Sequence, residues 1–218
     1  MSKQTLYGSK QKRVVTSRHG VRVAGRVVTK EQAALISKFP DFSLERLVRL
    51  VEESTTYHWV LWDSALAWVR AEIANVSDKY HAIYKDDASW TVRQVVARFS
   101  DKYHEQLVAD DEWLVRYEVA LYSNKYHKQL VTDSKREIRE VVARSSDKYH
   151  DMLVTDESWQ VREVVAMYSD KYHDRLVADE HWAVRIAVAR YSTKYHHILK
   201  DDTDFRVCFS VDNYKEEK

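Results

Sequence analysis

Glycine and proline are nearly missing from this chain: 218 residues hold three of the first and one of the second. Turn-rich β architectures use them for positive φ and for loop punctuation, so their scarcity favours helices. Cys208 is the one cysteine, which excludes an internal disulfide and any cysteine-built zinc cluster. No apolar run approaches the roughly 18 residues that a membrane-spanning helix needs, and the N-terminus lacks the apolar stretch of a secretory signal. The expectation is a cytoplasmic chain without a membrane partner. Acids are missing from the first 30 positions, which carry Lys3, Lys10, Lys12, Arg13, Arg18, Arg22, Arg26 and Lys30. The remainder has 27 bases against 34 acids, a net charge of −7. A basic arm therefore precedes an acidic body. Missing as well are a P-loop, a glycine-rich phosphate cradle, a nucleophile–base–orienter set and a His-x-Glu deaminase motif. The expectation is a non-enzyme, with no catalytic residue, no metal ligand and no cofactor.

What is there is a line written seven times. Ser-Asp-Lys-Tyr-His begins at Ser77, Ser100, Ser146 and Ser169, with variants at Ser54, Ser123 and Ser192, every step being 23 residues. Other columns keep the same step: Val69-Arg70 through Val184-Arg185, alanine from Ala74 to Ala189, aspartate from Asp87 to Asp202. Each unit reads as two helices. Val161, Val164, Val165 and Tyr168 lie at i, i+3, i+4 and i+7, one apolar helical face. Ser169-Asp170 offers an N-cap, and Lys171 to Val177 reads as a short helix or 3₁₀ turn with Tyr172, His173, Leu176 and Val177 inward. No single unit can bury its apolar face alone, so the units must stack.

The pattern Asp-x4-Val-Arg-x2-Val-Ala, as in "DESWQVREVVA" from Asp156 to Ala166, resembles the signature of HEAT-like α-solenoids. The short period and the single leucine per second helix are closer still to the leucine-rich repeat variant, in which an α-helix alternates with a 3₁₀ helix. The resemblance covers about residues 44–218 and implies an all-α solenoid of about seven two-helix repeats. That family often has proline where this chain has Ser-Asp-Lys-Tyr-His, and the cysteine-rich iron–sulfur segment of some members is absent here.

Three columns invite a chemical reading. A histidine recurs from His58 to His196. Stacked helices sit about 8–10 Å apart while metal ligands lie about 2 Å from one ion, so neighbouring histidines cannot share a metal and the column reads as structural. Aspartate and arginine six residues apart, from Asp87–Arg93 to Asp179–Arg185, read as a ladder linking the turns of neighbouring units, as the HEAT-like resemblance implies. Trp90, Trp113, Trp159 and Trp182, continued by Phe205 and broken by Arg136, read as packing between successive first helices.

Columns that differ between units are released from the shared packing problem and are expected to be exposed. Three share one side of the first helix, and most of their residues are polar. One unit departs, with Leu114, Tyr117 and Leu121 at i, i+3 and i+7. A solvent-side apolar stripe in a single repeat marks a partner contact. Residues 1–28 form a basic arm or β-hairpin, 29–66 the N-terminal helices and a degenerate capping repeat, 67–204 the solenoid, and 205–218 a C-terminal cap. The expected function is a non-enzymatic scaffold binding another protein through Leu114, Tyr117 and Leu121. The alternatives are nucleic-acid binding through Lys10, Lys12, Arg13, Arg18, Arg22 and Arg26, or a HEAT-like DNA-acting enzyme.

Overall fold

The computed structural model describes the backbone of four short strands between residues 4 and 28, and residues 67–214 in full. The chain divides into two compact units, Met1–Tyr84 and Lys85–Lys218. In the first, β1 (Gln4–Thr5), β2 (Arg13–Ser17), β3 (Gly20–Val23) and β4 (Arg26–Val28) form an antiparallel sheet in sequence order. The hairpin expected of the basic segment is β2–β3, registered as Val14↔Val23 and Val15↔Arg22, with a further strand on each side. The same unit ends with the helix Ala67–Val76, the 3₁₀ turn Asp78–Tyr80 and the helix His81–Tyr84. The expected capping repeat at 29–66 lies outside the described residues.

Every described element of the second unit is helical. Ten-residue helices run over Trp90–Phe99, Trp113–Tyr122, Arg136–Ser145, Trp159–Tyr168 and Trp182–Tyr191, and Phe205–Asp212 ends the series. After each of the five comes a three-residue 3₁₀ turn and a four-residue α-helix, as in Asp101–Tyr103 and His104–Leu107. Successive long helices pack side by side. Val92, Val96 and Ala97, and their counterparts to Val184, Val188 and Ala189, are completely buried, and Leu107, Leu130, Leu153, Leu176 and Leu199 plug the seam beneath them. Each such leucine contributes about 1.5–3 kcal/mol by leaving water. The expected inward face is right at Val161, Val164 and Val165 but wrong at Tyr168. That residue sits at the last position of its helix and is exposed, while Ala166 is buried in its place.

The long helices end without glycine. The serine that follows each one is extended rather than left-handed, as at Ser169 with φ −150° and ψ 110°. Any L-residue can adopt that conformation, so the repeat needs no glycine C-cap. The expected serine N-cap is largely absent: of the serines that precede these 3₁₀ turns, only Ser146 accepts through its side chain, from the Lys148 amide at 3.3 Å. What tightens the next turn is the backbone carbonyl, as in Tyr103 N–H to Ser100 O at 3.3 Å. The entry to the following long helix is shaped by the column aspartate. Asp110 Oδ1 accepts from the Glu112 amide at 2.9 Å, and Asp87, Asp133, Asp156, Asp179 and Asp202 each accept likewise from the amide two residues on.

Candidate functional site

The tempting columns are scaffolding. Arg93 donates through Nε and Nη2 to both carboxylate oxygens of Asp110, at 2.6 and 2.8 Å, and through Nη1 to the carbonyl of Asp87 at 2.7 Å. The arginine thus grips its own turn by the backbone and the next turn by the carboxylate, 17 residues on. The fork recurs at Arg116–Asp133, Arg139–Asp156, Arg162–Asp179 and Arg185–Asp202. It ends at Cys208, whose thiol donates to the Asp202 carbonyl at 3.2 Å in the arginine's place. Burial pushes the Asp133 carboxyl up, but the bonds from Arg116 and from the Lys135 amide outweigh it and hold the group below the usual carboxylate range. Asp202 is held down chiefly by Arg185.

The buried histidines serve the helix ends. His104, His127, His150 and His173 place Nε2 2.6–2.9 Å from the carbonyls of Ala97, Ala120, Ala143 and Ala166. His81 does the same with Ala74. Each carbonyl lies in the last turn of a long helix, where no intrahelical amide remains for it. A carbonyl only accepts, so Nε2 carries the proton, and Nδ1 of these five rings has no partner. Among the described residues no group of three or more His, Cys, Asp or Glu is placed to hold a metal ion. The tyrosines were expected inward beside them. Tyr80, Tyr126 and Tyr195 are buried as expected, whereas Tyr103, Tyr149 and Tyr172 are half-buried; the ring edge of Tyr172 lies against His150 of the preceding unit and its hydroxyl on Asp151 at 2.6 Å.

The tryptophans were expected in the seam between long helices. They sit half-open at the helix starts, Trp90 being 38% exposed and Phe205 77%. Trp159 stacks on His181 at 4.0 Å, and Trp182 is covered by the Arg206 guanidinium at 3.6 Å. Asp204 orients that guanidinium, which holds the Asp204 carboxyl down at about 2.

The side of the long helices that varies is open. Leu114 and Tyr117 are half-buried, and Leu121 is 45% exposed. Tyr117 packs edge-on against Trp113 at 6.2 Å, and Tyr122 stands open next to Leu121. Beneath the stripe lies a residue that sequence reasoning missed. Glu118 is 3% exposed, where the other units of this series have Val95, Val141, Val164 and Ala187. Arg98 Nη2 and Gln94 Nε2 of the preceding unit donate to its Oε1 at 2.6 and 2.7 Å. In the letters its column also holds Glu72 and Ser210, so the glutamate by itself does not mark the place. Further along, Glu140 and Glu163 are half-buried, and burial pushes both carboxyls up. Between the helices Trp182–Tyr191 and Phe205–Asp212 lies a cavity of about 750 Å³ lined by Trp182, Ile186, Arg190, Phe205 and Phe209. Of the basic arm, Arg13, Arg22 and Arg26 fall in β2, β3 and β4, with Arg22 paired to Val15 and Val27. Lys10, Lys12 and Arg18 lie outside the described residues. No described helix is long and apolar enough to cross a membrane.

No protein-family model matches the chain, and no curated protein matches it. A solved structure does. It is described as a leucine-rich repeat variant with a novel repetitive structural motif, and it superposes with a TM-score of 0.70 at 23% identity, over 84% of this chain and 81% of that one. The chain has the fold of the leucine-rich repeat variant.

Proposed function

We propose that the chain is a non-enzymatic scaffold that binds another protein on the variable side of its long helices, with Leu114, Tyr117 and Leu121 in the contact. The observation that carries this reading is a contrast at equal backbone positions. Units on both sides of the stripe place Thr91, Gln94 and Arg98, or Glu137, Glu140 and Arg144, where this one has the half-buried Leu114 and Tyr117 and the exposed Leu121. Exposed apolar surface gathered in one unit contributes nothing to stacking and favours association. Five copies of the Asp–Arg fork and a histidine column spent on helix carbonyls leave no group in a catalytic role among them.

Leu114→Thr, Tyr117→Gln and Leu121→Arg together copy the preceding unit. The fold should lose no more than about 0.5–1 kcal/mol, as for surface positions. Affinity for a partner recovered with the wild-type chain should fall more than tenfold, since a buried aromatic anchor commonly contributes about 2 kcal/mol or more. Unfolding of the triple variant would make the stripe part of the core. Full affinity in a folded triple variant would move the contact elsewhere.

A further inference from the structure

The variable side has two borders and a gap. One border is the row Trp90, Trp113, Trp159 and Trp182 at the helix starts. The other is Phe99, Tyr122, Tyr168 and Tyr191 at the helix ends, all exposed. Both rows break in the same unit, at Arg136 and Ser145. That unit carries Glu140, with Glu163 at the same position of the next. On one side of this gap lie Leu114, Tyr117 and Leu121. On the other lie Met167, Ile186 and a groove between Ile186, Phe205 and Phe209 that Arg190 and Arg206 also line, Arg206 lying over Trp182. Along the stacking direction the surface therefore runs from an apolar stripe, through a stretch where Glu137, Glu140 and Glu163 alternate with Arg136 and Arg144, to a groove of aromatic and guanidinium groups.

The two carboxylates in the gap are unanswered. Neither Glu140 nor Glu163 makes an ion pair or side-chain hydrogen bond with a described residue, although the charges of Arg136, Arg139 and Arg144 act on the first and that of Arg190 on the second. Arg144 and Arg190 are exposed and free to hydrate, while the carboxylates are half-buried, with the charge of Glu137 acting against Glu140 and that of Glu140 against Glu163. On the same side, one unit away, the chain shows how such a carboxylate is satisfied: the Arg98 guanidinium and the Gln94 amide both reach Glu118. The final unit shows that a guanidinium also fits on the open face of a column tryptophan, where Arg206 covers Trp182.

We infer that this surface takes one segment of a partner chain, basic at its middle and apolar on either side, with its cation on Glu140 and Glu163. The apolar flanks rest on the Tyr117 stripe and in the Ile186–Phe209 groove. These are three units apart, about 24–30 Å at helix spacing, a span that eight or nine extended residues cover at about 3.3 Å each. This deepens the scaffold reading and rests on it. The pairing of a cation with two half-buried carboxylates sets which segments bind, and the aromatic borders set how firmly they are held.

The test is selection of random twelve-residue peptides displayed on phage against the whole chain, counter-selected against the Leu114→Thr, Tyr117→Gln, Leu121→Arg variant. Enriched sequences should carry arginine or lysine between two apolar residues. Labelled synthetic copies should lose at least tenfold in affinity on Glu140→Gln with Glu163→Gln, and their salt dependence should flatten, with the thermal melt of that variant no lower than wild type. Enriched peptides without a basic excess, or with affinity indifferent to the two glutamines, would overturn the inference while leaving the scaffold reading intact. Enrichment no better on wild type than on the triple variant would overturn both.

Discussion

Each unit has a side that repeats and a side that does not. On the turn edge, five arginine–aspartate forks have matching donors, matching acceptors and lengths between 2.6 and 3.0 Å. On the variable side, the same backbone positions carry threonine, leucine, glutamate, glutamine and alanine in turn, at Thr91, Leu114, Glu137, Gln160 and Ala183. The first side solves one problem, how to hold a unit against its neighbour, and solves it once. The second is under no common demand, so its differences record whatever each unit is individually for.

The largest effect should come from breaking the repeated side. Arg139 is nearly buried and forks onto Asp156 while holding the Asp133 carbonyl. Arg139→Ala strands a largely buried carboxylate and frees a turn, which should cost about 3–5 kcal/mol by chemical denaturation. Arg139→Lys should recover only part of it, because a point charge cannot serve two carboxylate oxygens and a carbonyl together. A loss below 1 kcal/mol for the alanine variant would place the fork among surface pairs of little consequence.

A smaller loss should follow at the histidine column, and its pattern checks the tautomer. His150→Asn brings an amide near the Nδ1 position and cannot reach Ala143 O, so a helix-end carbonyl is orphaned at about 1–3 kcal/mol. His150→Gln extends an N–H toward the position of Nε2 and should be the milder change. The reverse order would mean that Nδ1, not Nε2, does the holding.

The repeated side was the more legible one. A 23-residue period shows directly in the letters, and so does the Asp–Arg column. The connectivity does not. The carboxylate each arginine grips is 17 residues on, because stacking brings the next turn closer than the arginine's own. Only the carbonyl six residues back comes from its own unit. The misplaced residues share one cause. Tyr168 and the tryptophans sit at helix ends, where a wheel assigns a direction but the neighbouring helix no longer covers it. Serine looked like an N-cap because its side chain can accept, whereas the turn it precedes is closed by its backbone. Of the candidate contact, Leu114, Tyr117 and Leu121 could be named from the columns alone. Glu118 could not, since nothing in a list of letters says that Arg98 and Gln94 reach across a unit to meet it.

The smallest effect separates the two sides by the sign of their response to acid. On the turn edge Asp133 and Asp202 are held below the ordinary range, so the native state releases their protons more readily than the unfolded chain does. Their contribution is complete above the unfolded value of about 3.9 and is lost as pH falls through the native one. On the variable side Glu140 and Glu163 are raised, chiefly by burial, so the native state holds their protons more tightly than the unfolded chain, whose glutamates titrate near 4.3. Their charge is therefore a penalty, present above the native values and relieved as pH falls through them toward the unfolded one. Glu140→Gln with Glu163→Gln should raise the melting temperature slightly at pH 7, and the gain should shrink toward pH 4.5. A variant less stable than wild type at pH 7 would mean that Arg144 and Arg190 already satisfy these carboxylates, leaving no unmet charge for a partner's cation to answer.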